Sequence, residues 1–231
     1  MNNVAIIPAR GGSKRIPRKN IRDFLGKPVI AYSIQTAIES KLFDEVMVST
    51  DDVEIAEIAT KYGAKVPFMR SEKNADDFAN TADVILEVID EYKKRNIAFE
   101  NGCCIYPAAP LAQTKHLSDG FRLLTTEKFN SVFPVVAFSY PVWRGLEWNE
   151  NGKVQMVWPE YLNSRSQELR KVFHDAGQWY WFNVYALVSG KNLFTGNSSS
   201  IEVRETEVQD IDSETDWRIA EMKYKLLHEQ S

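Results

Sequence analysis

The sequence predicts an α/β fold: a mostly parallel sheet with helices packed on both faces. Two observations carry this reading. Short apolar runs alternate with longer stretches whose apolar residues recur at helical spacing, as far as about residue 138. Several runs are also apolar at every position rather than every second one, as strands buried on both faces must be.

The elements follow in order. VAIIPA (4–9) is a buried strand, and KPVIAYSIQTAIESKLF (27–43) a helix with Ile30, Ile34, Ala37 and Ile38 on one face. EVMVST (45–50) is the next strand. DVEIAEIATKYG (52–63) is a helix with Asp52 at its N-cap and Gly63 as its stop. KVPFMR (65–70) is extended and ends on Arg70. TADVILEVIDEYKKRN (81–96) is a helix with Thr81 as cap. GCCIYP (102–107) is a short strand, TKHLSDGFRLLTTEK (114–128) a helix, and SVFPVVAF (131–138) the last regular strand.

Beyond Tyr140 the texture changes. VWRGLEWNENGKVQMVWPEYL is rich in aromatics, and its Asn151-Gly152 pair predicts a hairpin turn. QWYWFNVYALV (178–188) reads as a strand, and SETDWRIAEMKYKLLHEQ (213–230) as a closing amphipathic helix. The chain is read as one domain, 1–231, with an arm inserted at about 140–180.

Lys and Arg number 28 against 32 Asp and Glu, so the net charge of −4 disfavours general nucleic-acid binding and any basic patch is local. Cys103 and Cys104 are adjacent. On a strand they point to opposite faces, which argues against a disulfide between them and for a buried structural role. The first residues lack the apolar core of a signal peptide, and no apolar stretch is long enough to span a membrane. The expectation is a cytoplasmic protein without membrane association.

ARGGSKRIPRKN (9–20) holds two glycines and five basic residues at the carboxyl end of the first strand, the ligand-binding edge of an open α/β sheet. It matches neither the dinucleotide fingerprint nor the P-loop. Gly11 and Gly12 permit close backbone approach, successive N–H groups can form an anion nest, and Arg10, Lys14, Arg15, Arg18 and Lys19 bring charge suited to several phosphates. The alternative is a solvated basic loop.

QDID places Asp210 and Asp212 on one face of an extended segment with Ile211 turned inward. Paired carboxylates repel unless a cation lies between them, and Mg²⁺ suits oxygen ligands shared with phosphates. Ser213 and Asp216 also resemble a capping box, so the same stretch starts a helix; the two readings are compatible. In NSRSQELRKVFHDAGQWYW, Arg165 and Gln167 are planar hydrogen-bonding groups two apart. Gln178, Tyr180 and Phe182 share one face of a strand, with Trp179 and Trp181 on the other as packing groups. Polar groups beside aromatic walls suit an acidic sugar. His174 receives no role.

Taken together, IIPARGGSKRIPRKN, MRSEKNADD, YPAAPL, RSQ and QDID resemble the CMP-sugar synthetases of nine-carbon α-keto acids, the acylneuraminate cytidylyltransferases and their bacterial relatives. The resemblance covers nearly the whole chain. It implies a three-layer nucleotide-diphospho-sugar transferase fold with a dimerisation arm, hence a homodimer. HDAGQWYW (174–181) is similar to the run found in the subgroup that acts on pseudaminic acid, where sialic and legionaminic acid enzymes carry Asn-Gly-Ala. Tyr106 stands where sialic acid enzymes have a glutamine and is given no site role.

Carried over by position, the resemblance makes Arg10, Gly11, Gly12, Ser13, Lys14, Lys19, Asn20 and Arg70 the CTP site. Asp210 and Asp212 become the Mg²⁺ ligands, and Arg144, Arg165, Gln167 and Gln178 the sugar contacts. Arg10, Lys19, Asp210 and Asp212 would carry catalysis. The implied reaction transfers CMP from CTP to the anomeric hydroxyl of pseudaminic acid, with pyrophosphate released. Synthetases for sialic, legionaminic or Kdo acids, and a non-catalytic nucleotide-binding regulator, are the alternatives.

Overall fold

In the computed structural model, residues 2–75 and 80–228 are described. Asp76 and Asp77 of the MRSEKNADD motif, and the last two residues of the predicted terminal helix, lie outside them. The chain begins with β1 (Asn3–Pro8) and then the basic loop. A two-residue hairpin follows, β2 (Asp23–Phe24) and β3 (Lys27–Pro28). Its turn residues, Leu25 and Gly26, both have positive φ, as a type I′ turn demands. Then come α1 (Val29–Ser40), β4 (Glu45–Ser49), α2 (Val53–Lys61), α3 (Thr81–Lys94), β5 (Asn101–Ile105), α4 (Thr114–Thr126) and β6 (Ser131–Ala137). The arm carries the hairpin β7 (Leu146–Trp148) and β8 (Val154–Met156). The chain returns through β9 (Phe173–Asp175), β10 (Trp179–Asn183), α5 (Val184–Gly190), β11 (Ser198–Glu202) and α6 (Glu214–His228).

The main sheet runs β11-β6-β10-β5-β1-β4, with β9 beside the end of β6. Pairs β1–β4, β1–β5 and β11–β6 are parallel, while β10 runs antiparallel to both its neighbours. The sheet is therefore mixed at its centre. The reason lies in the connection. Parallel neighbours need a crossover, whereas the chain leaves β6 for the arm and comes straight back alongside it. β9 pairs with Val135–Ala137 and β10 with Ser131–Val132, so the return is one strand broken at Ala176–Gln178.

Strand alternation divides the core in two. Ala5, Ile7 and Cys103 face α1, α2 and α4; Val4, Ile6 and Cys104 face α3 and α5. Trp179 and Trp181 are fully buried on the first side and Tyr180 and Phe182 on the second, as the period of two requires. Gly120 lets α4 settle on the two tryptophans: a Cβ there would stand 2.5 Å from Trp179 Cη2. Both cysteines are free and buried.

Three local expectations change, and one strand, β11, is not foreseen. Asn80, not Thr81, caps α3, because its side chain accepts from the Asp83 N–H at 2.9 Å. Residues 65–70 form no strand; they touch the sheet through a Lys65–Met47 bridge and an Arg70 N–H bond to the Thr50 carbonyl. The run 178–188 is a strand only to Asn183, whose side chain then caps α5 by accepting from Ala186 N–H at 3.0 Å. β11 carries no apolar run or alternation strong enough to mark it beforehand, since Ser198, Ser199 and Ser200 form its first half. Asp52 does cap α2, accepting from Ile55 N–H at 3.0 Å. Gly63 follows that helix with φ +95°. Among the described residues no helix is long and apolar enough to cross a membrane.

The arm holds a small aromatic centre of its own. Trp143 packs on Trp158 and Tyr161, with the Arg170 guanidinium over its ring and its indole N–H bound to the Arg170 carbonyl. The hairpin turns at Asn149–Gly152, where the Asn149 side chain accepts from the N–H groups of Asn151 and Lys153. Its outer side leaves Tyr140 (84% exposed), Trp148 (76%) and Leu146 (65%) in solvent.

Candidate active site

The basic loop is built as a fixed shelf. Ile16 is buried beside Phe24, Ile211 and Trp217, which pins the middle of the loop. The buried Asn20 amide donates to the Arg10 carbonyl at 3.0 Å and holds its start. Neither Gly11 nor Gly12 has positive φ. Gly11 is required by proximity: a Cβ would meet Asp52 Oδ2 at 2.6 Å. Gly12 faces open space, with nothing within 4 Å of where a Cβ would be. The expected nest is partly used within the protein. Gly11 N–H donates to Asp51 Oδ1 at 3.0 Å, and Ser13 N–H to the Gly11 carbonyl at 3.0 Å. Arg18 is turned away, paired with Asp52 and Glu54, so its charge anchors α2. Lys14 and Arg15 stand exposed, and Arg10, Ser13 and Lys19 half-buried.

The far end of the chain closes on this shelf. Lys19 Nζ donates to the Ile211 carbonyl at 2.7 Å and lies 3.7 Å from Asp212 Oδ1; Arg15 pairs with Asp212 Oδ2. Ile211 is buried between the two aspartates, which face outward in an extended segment that is not part of the sheet. The capping box forms as well. Ser213 Oγ accepts from Asp216 N–H, while Asp216 Oδ2 accepts from Ser213 N–H at 2.8 Å and Asp212 N–H at 3.1 Å. The capping reading of QDIDSETD therefore holds, and the cap orients the segment that carries the two aspartates.

Desolvation and the neighbouring charge of Asp212 push the Asp210 carboxyl above the ordinary carboxylate range, against the pull of Lys19 and Arg15. A pair strained in this way suits a cation. Two carboxylates plus substrate phosphates are a normal Mg²⁺ environment. Among the described residues no group of three or more His, Cys, Asp and Glu gathers as a metal site.

Behind the pair stands a buried carboxylate that the sequence did not mark. Glu207 accepts from the Arg204 guanidinium at 2.6 Å and the Arg204 N–H at 3.0 Å, and lies 3.9 Å from His116 Nε2. Burial raises its pKa, but the hydrogen bonds from the Arg204 side chain and N–H outweigh that and bring it down to about 2. Burial dominates at His116 and keeps its pKa below the ordinary value, against the raising charge of Glu207 3.9 Å away. Gln178 is expected to face a sugar, yet it is 2% exposed and donates to the Glu207 carbonyl at 2.7 Å. It acts as a strut between β10 and the aspartate segment.

Arg70 is buried at the floor of the shelf. Its guanidinium binds the Ser49 hydroxyl and carbonyl, and the field of Arg10 reaches it. Desolvation lowers its pKa. Arg144, Arg165 and Gln167 are exposed on the arm; Gln167 lines a cavity of about 450 Å³ with Tyr140 and Arg170. Three groups outside the expected set also meet near the cleft: Tyr106, Tyr180 and Asp175. Tyr106 Oη and Thr81 Oγ1 are 3.1 Å apart, the two tyrosine rings pack at 5.4 Å, and Tyr180 Oη donates to Asp175 Oδ2.

A ligand edge lined with cations and facing a carboxylate pair is the arrangement of a nucleotidyltransferase. The cytidylyltransferase family model matches residues 4–177, and the chain belongs to that family. It is 42% identical, over the full length of both chains, to proteins named pseudaminic acid cytidylyltransferase from two strains of Campylobacter jejuni. It is 28% identical over 235 residues, 99% of each chain, to the CMP-N,N'-diacetyllegionaminic acid synthase of Legionella pneumophila. Among solved structures, a CMP:2-keto-3-deoxy-manno-octonic acid synthetase complexed with CTP superposes over the whole of both chains, with a TM-score of 0.71 at 18% identity. That likeness is one of fold.

Proposed function

We propose that this protein transfers CMP from CTP to the anomeric hydroxyl of pseudaminic acid and releases pyrophosphate. The observation that carries the reading is the joining of Lys19 to the Ile211–Asp212 segment, in a chain alike end to end to proteins of that name. The hydroxyl oxygen attacks the α-phosphorus in line. A new P–O bond forms as the bond from the α-phosphorus to the bridging oxygen breaks, the bridging electrons leave with pyrophosphate, and the hydroxyl proton passes to solvent water. Such transfer is chiefly positioning and charge neutralisation.

Each group on the page has a task in this scheme. Arg10, Lys14 and Lys19 cover the phosphates, with Gly12 leaving room for them to approach. Lys19, fixed by the Ile211 carbonyl, stabilises charge growing on the leaving pyrophosphate. Asp210 and Asp212 would hold Mg²⁺, which when bound supplies Lewis-acid polarisation of the α-phosphoryl oxygen. Arg165, Gln167 and Arg144 lie on the arm, where they suit the acidic sugar. The bare Tyr140, Leu146 and Trp148 suit a second copy of the chain, so the reading includes a homodimer, in the cytoplasm where CTP is made available.

A coupled pyrophosphate assay with CTP, Mg²⁺ and a panel of pseudaminic, sialic, legionaminic and Kdo acids tests this. Fastest release with pseudaminic acid is expected. Preference for another acid would reassign the sugar. CTP binding with no release from any of them would revive the non-catalytic alternative.

A further inference from the structure

Asp175 ends β9 at the break between β9 and β10 and is exposed, yet its carboxylate is held at both oxygens. Oδ1 accepts the Gly177 N–H at 2.8 Å, and Oδ2 accepts the hydroxyl of Tyr180. Tyr180 is itself buried, wedged between Tyr106 and Phe133, so the hydroxyl that grips Asp175 cannot swing away. The Tyr106 ring is positioned in turn by the Thr81 contact at the first residue of α3 and by its own N–H bond to the Gln178 carbonyl at 2.8 Å. Four separate elements thus converge to fix one exposed carboxylate.

The turn that follows that carboxylate borders Asp210. A Cβ on Gly177 would stand 3.9 Å from the Asp210 carboxyl carbon, so the 175–177 turn walls the cleft next to Asp210. Each carboxylate oxygen has two lone-pair positions, and one on each is taken. Asp175 is exposed, which leaves the remaining two for a ligand. A fixed, acceptor-only group beside Asp210 would repel phosphates and the carboxylate of an acidic sugar. It accepts O–H and N–H donors.

We propose that Asp175, held by Tyr180 and Gly177, selects the acceptor sugar by taking a hydrogen bond from one of its hydroxyl or amide N–H groups. This turns the sugar's own carboxylate away, toward the arm. The inference rests on the sugar-transfer reading above and adds the residue that reads the sugar's donor side.

The test uses the full chain with CTP and Mg²⁺, following pyrophosphate release. The sugars are the acid that wild type uses best and analogues of it lacking one donor at a time. Asp175→Ala should raise KM for the sugar about ten- to a hundredfold, the loss of one hydrogen bond to a charged group, with KM for CTP within about twofold. Tyr180→Phe keeps the ring but not the grip and should shift the same constant less, in the same direction. One analogue should cost wild type the factor that Asp175→Ala costs, and cost Asp175→Ala nothing more. A parallel rise in both KM values, an unchanged sugar KM, or analogue losses of equal size in both proteins would overturn the assignment. Wild type that releases pyrophosphate with no acidic sugar would instead overturn the functional reading, and the inference with it.

Discussion

Lys19 and Asp212 are 193 positions apart in sequence, and their charged atoms are 3.7 Å apart in the fold. The contact joins the loop after the first strand to the segment before the last helix. It is not a freely formed surface pair. The Lys19 ammonium is also fixed by the Ile211 carbonyl at 2.7 Å, and Ile16 and Ile211 share one buried cluster beneath it. Packing brings the two halves together and leaves the charged groups at the surface above it.

Lys19→Ala should therefore lower kcat for pyrophosphate release by about 10²–10³, the usual consequence of losing one preformed charge stabiliser. Steady-state kinetics at saturating CTP measure it. A loss below about fivefold would remove Lys19 from the transition state.

Gly11 and Gly12 should behave differently despite being neighbours. Gly11→Ala forces a Cβ against Asp52, which both caps α2 and binds Arg18, so thermal stability should fall. Gly12→Ala enters open space and should leave the melting temperature unchanged while raising KM for CTP. Differential scanning fluorimetry and kinetics on the two variants separate a structural glycine from a ligand-facing one.

Gly120→Ala should be among the costlier single-methyl changes. Its Cβ would fall 2.5 and 2.7 Å from two carbons of Trp179, which is fully buried and has no room to move. Overpacking of this kind costs about 1–3 kcal/mol, readable in urea denaturation.

Glu207 gives a pH signature. Its folded pKa, about 2, lies below the unfolded value near about 4.3. The stabilisation it supplies is complete above the unfolded value and is lost as pH falls toward about 2. Glu207→Gln should cost about 1–3 kcal/mol at pH 7, and the gap to wild type should close between about pH 4 and pH 2. Denaturation across that range checks it. His116 adds to acid sensitivity at higher pH. Its folded pKa is depressed by burial, so its contribution is present above about 6.5 and declines below it.

Much of the fold was legible because burial on both faces leaves a local mark. Val4–Ile7 and Cys103–Ile105 are apolar at every position, and the α2 cap and stop sit where Asp52 and Gly63 predict them. The direction of β10 was not legible, since it depends on how the chain returns from the arm rather than on any residue within 179–183. The site divides in the same way. Lys19, Asp210 and Asp212 lie in dense local patterns of charge. Glu207 in the chain is one carboxylate among many and matters through Arg204 and His116, partners brought by folding; Asp175 lies in the marked HDAGQWYW run, but its grip by Tyr180 and Gly177 is likewise visible only in the fold. Gln178 was misjudged for the related reason that a strand's alternation gives its face and not its hydrogen-bond partner, here the Glu207 carbonyl.

The central claim is that the two ends of the chain form one nucleotidyl-transfer site. Asp212→Ala tests it most directly, with pyrophosphate release and CTP affinity measured on the same preparation in Mg²⁺. Turnover should fall by about 10² or more while the Kd for CTP changes only a few-fold. Near-wild-type turnover in Mg²⁺ would contradict it.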